Sequence, residues 1–258
     1  MPPKALVLRT AGTNCDRETL FALEQAGFAA ERIHVNRLMA NPTQLERFQF
    51  LIIAGGFSYG DDVGAGKILA NQMVHRLAEP LNQFVAAGKL VLGICNGFQV
   101  LIKSGLLPGG HVSADQAHRD ATLAWNDSAR FEDRWIHLRA DSHKCVFLPY
   151  AEIVALPIAH GEGKFLTSGE PILAGLRDND QVALRYVDAA GRPGPYPVNP
   201  NGSQDDIAGI CDPTGRVLGL MPHPERFVDV TQHPEWTRGH IRRGDGTLFF
   251  QGAFLALK

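Results

Sequence analysis

Short, largely apolar runs, two of them closed by glycine, alternate with stretches of helical periodicity along the first 110 residues. Ala5-Leu6-Val7-Leu8 precedes the turn-rich Thr10-Ala11-Gly12-Thr13-Asn14. Ile33-His34-Val35 is a second run, and Phe50-Leu51-Ile52-Ile53-Ala54, closed by Gly55-Gly56, is a third. Leu90-Val91-Leu92, closed by Gly93, is the fourth. A strand that is apolar on both faces must be covered on both, which is the signature of a parallel sheet between helical layers. The spacing of Leu20, Leu23 and Ala26 predicts a helix over 16–26 with Asp16 as its cap, and a second helix is predicted over 66–87, stopped by Gly88. The expected class is therefore α/β, with a doubly wound, mostly parallel sheet and helices on both faces. Ligands of such sheets bind beyond the C-terminal strand ends, where Gly55-Gly56-Phe57 and Cys95 both fall.

After Pro108 the pattern changes to short strands between polar turns. Thr122-Leu123-Ala124-Trp125, Trp135-Ile136-His137-Leu138, Val146-Phe147-Leu148 and Ile153-Val154-Ala155-Leu156 read as strands, as do Val182 to Tyr186 and Ile207 to Ile210. Asp212-Pro213-Thr214-Gly215 marks a hairpin turn into a strand from Val217 to Met221. No linker forces a division, so residues 1–258 are expected to form one domain. Residues 227–258 form its tail, with a helix at 247–257. The basic stretch from Trp236 to Gly244 reads as a solvated loop, with contact to a partner subunit or a phosphate as the sharper alternative.

Formal net charge is −2 and the cations are scattered, which gives no electrostatic footprint for nucleic acid or a membrane surface. The four cysteines lie far apart, with neither a CxxC pair nor zinc-ligand spacing. They are expected to be free thiols in a reducing compartment, with no metal site. No window has the length of a signal peptide core or a membrane span, so a cytoplasmic protein is expected.

The chemistry concentrates at Gly93-Ile94-Cys95-Asn96-Gly97-Phe98-Gln99. A buried free cysteine is mostly an inert packing group. This one falls at a strand-to-helix turn, where the helix N-terminus favours a thiolate and small neighbours admit a substrate. Cysteine catalysis needs a base, and the base needs an orienting group. Met221-Pro222-His223-Pro224-Glu225-Arg226 supplies both. Pro224 biases His223 toward extended backbone, from which His223 and Glu225 are expected to share one side of a strand end. A rival nucleophile, Ser58, sits in Gly56-Phe57-Ser58-Tyr59-Gly60, which matches G-x-S-x-G. The following Asp61-Asp62-Val63-Gly64 makes a poor first helical turn and disfavours it. Gly64-Ala65-Gly66-Lys67 lacks the residues of a phosphate-binding loop.

Together, the cysteine elbow and His223-Pro224-Glu225 resemble the class I, triad-type glutamine amidotransferases. Gly55 to Asp61, Ala159-His160-Gly161-Glu162-Gly163, Asn199-Pro200-Asn201-Gly202-Ser203 and Asn14-Cys15-Asp16-Arg17 narrow the resemblance to the glutaminase subunits of phosphoribosylformylglycinamidine synthases. The similarity runs from about residue 4 to residue 227. It implies a flavodoxin-like sheet with an added strand-rich region, and a triad of Cys95, His223 and Glu225. It also implies an oxyanion hole from the Gly56-Phe57 turn and the N–H of Asn96, and a glutamine site built from Gly55, Gln99, His160, Gly161 and Glu162. Glu162 would face the substrate ammonium. The chain would hydrolyse L-glutamine and pass ammonia to a large PurL-type synthase, with a small PurS-type subunit alongside. That synthase would hold ATP and magnesium and convert formylglycinamide ribonucleotide to formylglycinamidine ribonucleotide, leaving this chain without a cofactor. A glutaminase subunit of another amidotransferase, a stand-alone glutamyl hydrolase and a catalytically silent binding module are the competing readings.

Overall fold

The computed structural model describes residues 1–113 and 120–258. Eleven strands form among them: β1 (Lys4–Arg9), β2 (Ala29–His34), β3 (Phe50–Ile53), β4 (Leu90–Ile94), β5 (Ala121–Ala124), β6 (Glu132–Ala140), β7 (Ile153–His160), β8 (Lys164–Thr167), β9 (Val182–Val187), β10 (Ile207–Cys211) and β11 (Val217–Leu220). Nine of them make one sheet in the order β2-β1-β3-β4-β11-β10-β9-β6-β7, while β5 and β8 pair separately. The first five in that order run parallel, and the rest pair antiparallel.

Burial follows the chemistry of the strands. Every residue of β3 and β4 is buried. β7 instead alternates, with Val154, Leu156, Ile158 and His160 buried between less buried neighbours, as expected where one face of an antiparallel region is partly open. The helices are α1 (Asp16–Gln25), α2 (Val35–Ala40), α3 (Lys67–Arg76), α4 (Ala78–Ala86), α5 (Asn96–Lys103), the short α6 (Leu106–Gly109), α7 (Glu170–Asp178) and α8 (Thr247–Leu255). Phe50 and Ile53 point to opposite faces of β3 because strand side chains alternate. The Phe50 ring lies 5.4 Å from Phe28 and 5.9 Å from Phe147, and Phe28 in turn meets Phe254 of α8 at 5.3 Å. On the other face, Gly97 of α5 sits against Ile53. Helices therefore cover both faces.

Several boundaries differ from the sequence expectation. The helix of 66–87 is two helices, broken at Leu77, whose backbone leaves the helical region just before Pro80. Val35 begins α2 instead of ending β2. Val146-Phe147-Leu148 is not a strand. It is a turn segment that buries Phe147 under the sheet. Asp16 does not cap α1, because its carboxylate pairs with Arg32 at 3.0 Å and Arg9 at 3.4 Å. α7 and β8 were not foreseen.

Close approach of α5 to the sheet depends on glycine. A Cβ on Gly97 would lie 1.9 Å from the Ile53 carbonyl oxygen, and one on Gly219 of β11 would lie 2.1 Å from the Phe98 ring. Gly97→Ala is expected to cost about 2–3 kcal/mol, since it forces the helix off the strand. Gly175→Ala in α7, where an added Cβ meets nothing within 4 Å, should gain about 0.5–1 kcal/mol. Urea unfolding midpoints of the two variants check both signs.

Candidate active site

β4 and β11 lie side by side and parallel, with Ile94 opposite Leu220. Their chains leave the sheet at the same edge. Cys95 follows β4 directly, and its N–H donates to the Leu220 carbonyl at 2.8 Å. It turns the chain into α5 with φ 51° and ψ −105°, a strained conformation for a residue with a Cβ. A Cβ at Gly93 would fall 2.7 Å from the Gly97 carbonyl oxygen, so both flanking glycines are needed for the elbow to close. The thiol is buried, with Sγ 3.8 Å from the Ala159 carbonyl oxygen of β7.

His223 arrives beyond the end of β11, its N–H held by the Pro157 carbonyl at 2.9 Å. Its Nδ1 lies 2.7 Å from Glu225 Oε1, and both side chains are buried. The pair forms by a different route from strand alternation. Pro224, Glu225 and Arg226 make a turn of 3-10 helix, for which proline at the first position is pre-shaped, and the turn folds the carboxylate back under the ring. Burial opposes a charge on His223, yet Glu225 and Cys95 outweigh it and hold the imidazole well above its ordinary pKa. His223 Nε2 and Glu225 Oε2 are buried without a hydrogen-bond partner.

A cavity of about 310 Å³ opens beside Cys95. Its wall takes Gly56, Phe57 and Asp61 from the segment after β3, Gln99 from α5, and His160, Gly161 and Glu162 from the end of β7. Trp125 and Phe131, both exposed, stand at its rim. Gly55 lies behind it, where a Cβ would meet His223 Cε1 at 3.0 Å and Cys15 Sγ at 3.3 Å.

The expected oxyanion donors need one correction. Phe57 gives its N–H to the Gly12 carbonyl at 2.9 Å, because residues 12–14 pair with the Gly55-Gly56 turn as a short antiparallel bridge. Gly56 and Asn96 remain as backbone donors without an acceptor among the described residues. The Asn96 side chain ties the site together: Oδ1 accepts from Ser58 N at 3.1 Å, and Nδ2 donates to Asp61 Oδ1 at 3.0 Å and Gln99 Oε1 at 2.9 Å. Gln99 Nε2 donates to the Glu162 carbonyl at 2.7 Å, so Gln99 braces the loop after β7. Ser58 is buried, and its Oγ finds no partner. No base among the described residues therefore holds the Ser58 hydroxyl.

His160 is buried and faces Asn126, with Nδ1 3.1 Å from Oδ1. Asn126 Nδ2 donates to the Arg130 and His160 carbonyls, which fixes Oδ1 as the acceptor and puts the His160 proton on Nδ1. Burial, and then the charge on His223, pull its pKa down to about 3, so the ring is neutral. It anchors the loop of Gly161 and Glu162 as an uncharged strut.

Two residues of the site were missed. Asp61 carried no spacing signal beyond its place in a glycine-rich segment. Cys15, at the start of α1, packs behind the His223 imidazole with Sγ 3.9 Å from Nδ1, and accepts from Arg226 Nη2 at 3.1 Å. Burial pushes this thiol up, and Glu225 adds to it, against His223 and Arg226. Cys15, His223 and Glu225 bring one ligand atom each within 4.8 Å of one another. Arg226 on the sulfur, however, sets a positive charge where a metal ion would have to sit. All four cysteines are free and buried.

The raised pKa of His223 has a sign that can be tested. The folded state binds this proton more tightly than the unfolded chain, whose imidazole titrates near the ordinary value of about 6.5. The stabilisation is full below that value and is lost as pH rises through the folded-state pKa. Glu225→Gln removes the largest of the influences that raise it. The stability gap between wild type and Glu225→Gln, from urea unfolding, is expected to be widest near about pH 6 and to shrink steadily as pH rises from there. A gap that grows with pH would contradict the assignment.

With the geometry in place, similarity to known proteins is informative. The model of the CobB/CobQ-like glutamine amidotransferase domain matches residues 2–254. Phosphoribosylformylglycinamidine synthase subunit PurQ of Dehalococcoides mccartyi is 47% identical over 253 residues, covering 97% of this chain and 96% of that one. The subunit of the same name from Methanococcus maripaludis is 43% identical over 91% of this chain and 86% of its own length. Phosphoribosylformylglycinamidine synthase of Drosophila melanogaster is 37% identical over 90% of this chain, a match confined to 18% of that longer protein. Among solved structures, PurLQS from Thermotoga maritima superposes with a TM-score of 0.76 at 32% identity, covering 100% of both chains. No helix among the described residues is long and apolar enough to cross a membrane.

Proposed function

The chain belongs to the CobB/CobQ-like glutamine amidotransferase family, and from that premise we propose that Cys95, His223 and Glu225 run its glutaminase reaction. It is the glutaminase subunit of a phosphoribosylformylglycinamidine synthase, acting in purine biosynthesis with a PurL-type synthase subunit. The observation that carries the mechanism is the shared edge of β4 and β11, which sets a buried cysteine beside an imidazole already oriented by a carboxylate.

Cys95 Sγ attacks the side-chain amide carbon of L-glutamine with its proton already held by His223, whose raised pKa keeps the imidazole protonated and whose Nε2 no protein group occupies. Glu225 on Nδ1 fixes the tautomer and stabilises the imidazolium. The backbone N–H groups of Asn96 and Gly56 receive the oxyanion, and Phe57 contributes its half-exposed ring to the cavity wall. Collapse of the tetrahedral intermediate breaks the C–N bond, and His223 returns the proton to the departing nitrogen, which leaves as ammonia. Water then attacks the glutamyl thioester with His223 as base, releasing glutamate and returning the proton to His223 beside the freed Cys95 Sγ. Gln99, His160, Gly161 and Glu162 bound the glutamine pocket, and Gly55 backs it against His223. Residues 1–258 act as one domain in this scheme. ATP, magnesium and the formylglycinamide ribonucleotide acceptor belong to the synthase, with a small PurS-type subunit as the third component. No group in this chain's mechanism requires a metal or an organic cofactor.

Reconstitution with the synthase tests the assignment. Cys95→Ala is expected to abolish glutamine-dependent amination, a loss of at least about 10³-fold, while amination from ammonium salts survives. An electrophilic glutamine analogue should label wild type once per chain, with mass spectrometry placing the adduct on Cys95. Glutamine use by Cys95→Ala would remove this cysteine from the mechanism.

A further inference from the structure

A glutamine whose amide carbon sits at Cys95 must bring its α-ammonium into the same cavity, and an ammonium leaving water needs anionic or carbonyl acceptors there. Two carboxylates stand in the cavity wall, Asp61 and Glu162. We infer that Asp61 is the residue that recognises the α-ammonium and so selects an α-amino acid as substrate. The inference rests on the glutaminase reading and deepens it.

Three observations favour Asp61. Its carboxylate is already oriented, because Oδ1 accepts from Gly66 N at 3.2 Å and from Asn96 Nδ2 at 3.0 Å. No donor among the described residues takes Oδ2. Glu162 offers its backbone carbonyl to Gln99, while no described donor holds its carboxylate, so recruiting that side chain would cost rotamer freedom that Asp61 has already lost. Finally, Asp61 shares Asn96 with the reacting end of the site. The same side chain that binds Asp61 accepts the Ser58 N–H through Oδ1, and its residue follows the nucleophile directly. An ammonium seated on Asp61 therefore bears on the loop that carries Gly56 and on the start of α5, which couples substrate recognition to placement of the amide. Partial burial pushes the Asp61 carboxyl up from its ordinary value, and a bound ammonium would favour its charged form.

The test compares L-glutamine with 4-carbamoylbutanoate, which is glutamine without its α-amine, using the full chain in its complex with the synthase. Asp61→Asn keeps the size of the side chain and an oxygen for Gly66 and Asn96, and removes the charge. The KM for L-glutamine is expected to rise about 100-fold, while turnover of 4-carbamoylbutanoate stays at the wild-type level. Ammonia-dependent amination by the same preparation reports that the complex is intact. An equal fall on both substrates would mark Asp61 as scaffold and overturn the inference, as would an unchanged Asp61→Asn. A selective loss of L-glutamine in Glu162→Gln in place of Asp61→Asn would move the role to Glu162. Failure of the wild-type complex to use glutamine at all would overturn the glutaminase reading, and this inference with it.

Discussion

The site depends on one strand pairing, the parallel alignment of β11 with β4 that sets Ile94 opposite Leu220. It brings together two segments that are far apart in the chain and ends them at the same edge of the sheet. Cys95 is one residue past its strand, and His223 is one short turn past its own. A slip of one residue would reverse which side of the sheet each side chain faces, and thiol and imidazole would part. The pairing is held by α5 and by a backbone bond at its end. Phe98 of α5 lies over Gly219, α5 presses Gly97 onto Ile53, and the Cys95 N–H is bonded to Leu220. The same close packing that fixes the register also bends the backbone at Cys95 into its strained conformation.

The buried charges of the site make sense only as a set. A carboxylate as enclosed as Glu225 is costly to desolvate, and its pairing with His223 at 2.7 Å supplies the compensation. The pair remains incomplete, since Oε2 and Nε2 have no protein partner. In a core this tightly packed, unpaired polar atoms of that kind mark reactive capacity held in place by the surrounding fold. Asn96 plays the complementary part with ordinary hydrogen bonds, joining the turn after β3, the first turn of α5 and, through Gln99, the loop after β7. Three separate pieces of chain are thereby fixed around one cavity.

The antiparallel half of the sheet is as much part of the site as the parallel half. β7 supplies the Pro157 carbonyl that holds His223, the Ala159 carbonyl facing the Cys95 thiol, and His160, which anchors the far wall of the cavity. His160 shows how burial changes a residue's meaning. A histidine in a glycine-rich loop suggested a group that meets substrate, whereas its low pKa and its bond to Asn126 make it a neutral support.

Apolar strands closed by glycines were sufficient to identify the α/β class, the parallel core and the strand-to-helix elbow at Cys95, because hydrophobic periodicity and turn chemistry are local properties. The residue types of the proposed triad stand out for the same reason: a cysteine in a glycine elbow and a histidine two residues before a glutamate each carry their chemistry in a few adjacent positions. The break at Leu77, the helical start at Val35 and the buried turn around Phe147 were hidden, since tertiary packing overrides local propensity at such points. Three features of the site belong to the folded molecule alone. The Phe57 N–H is taken by Gly12, Cys15 stands behind the imidazole, and Asp61 is joined to Asn96. Each is a contact between residues whose separation in the chain carries no period and no motif, so only the closing of the sheet could bring them together.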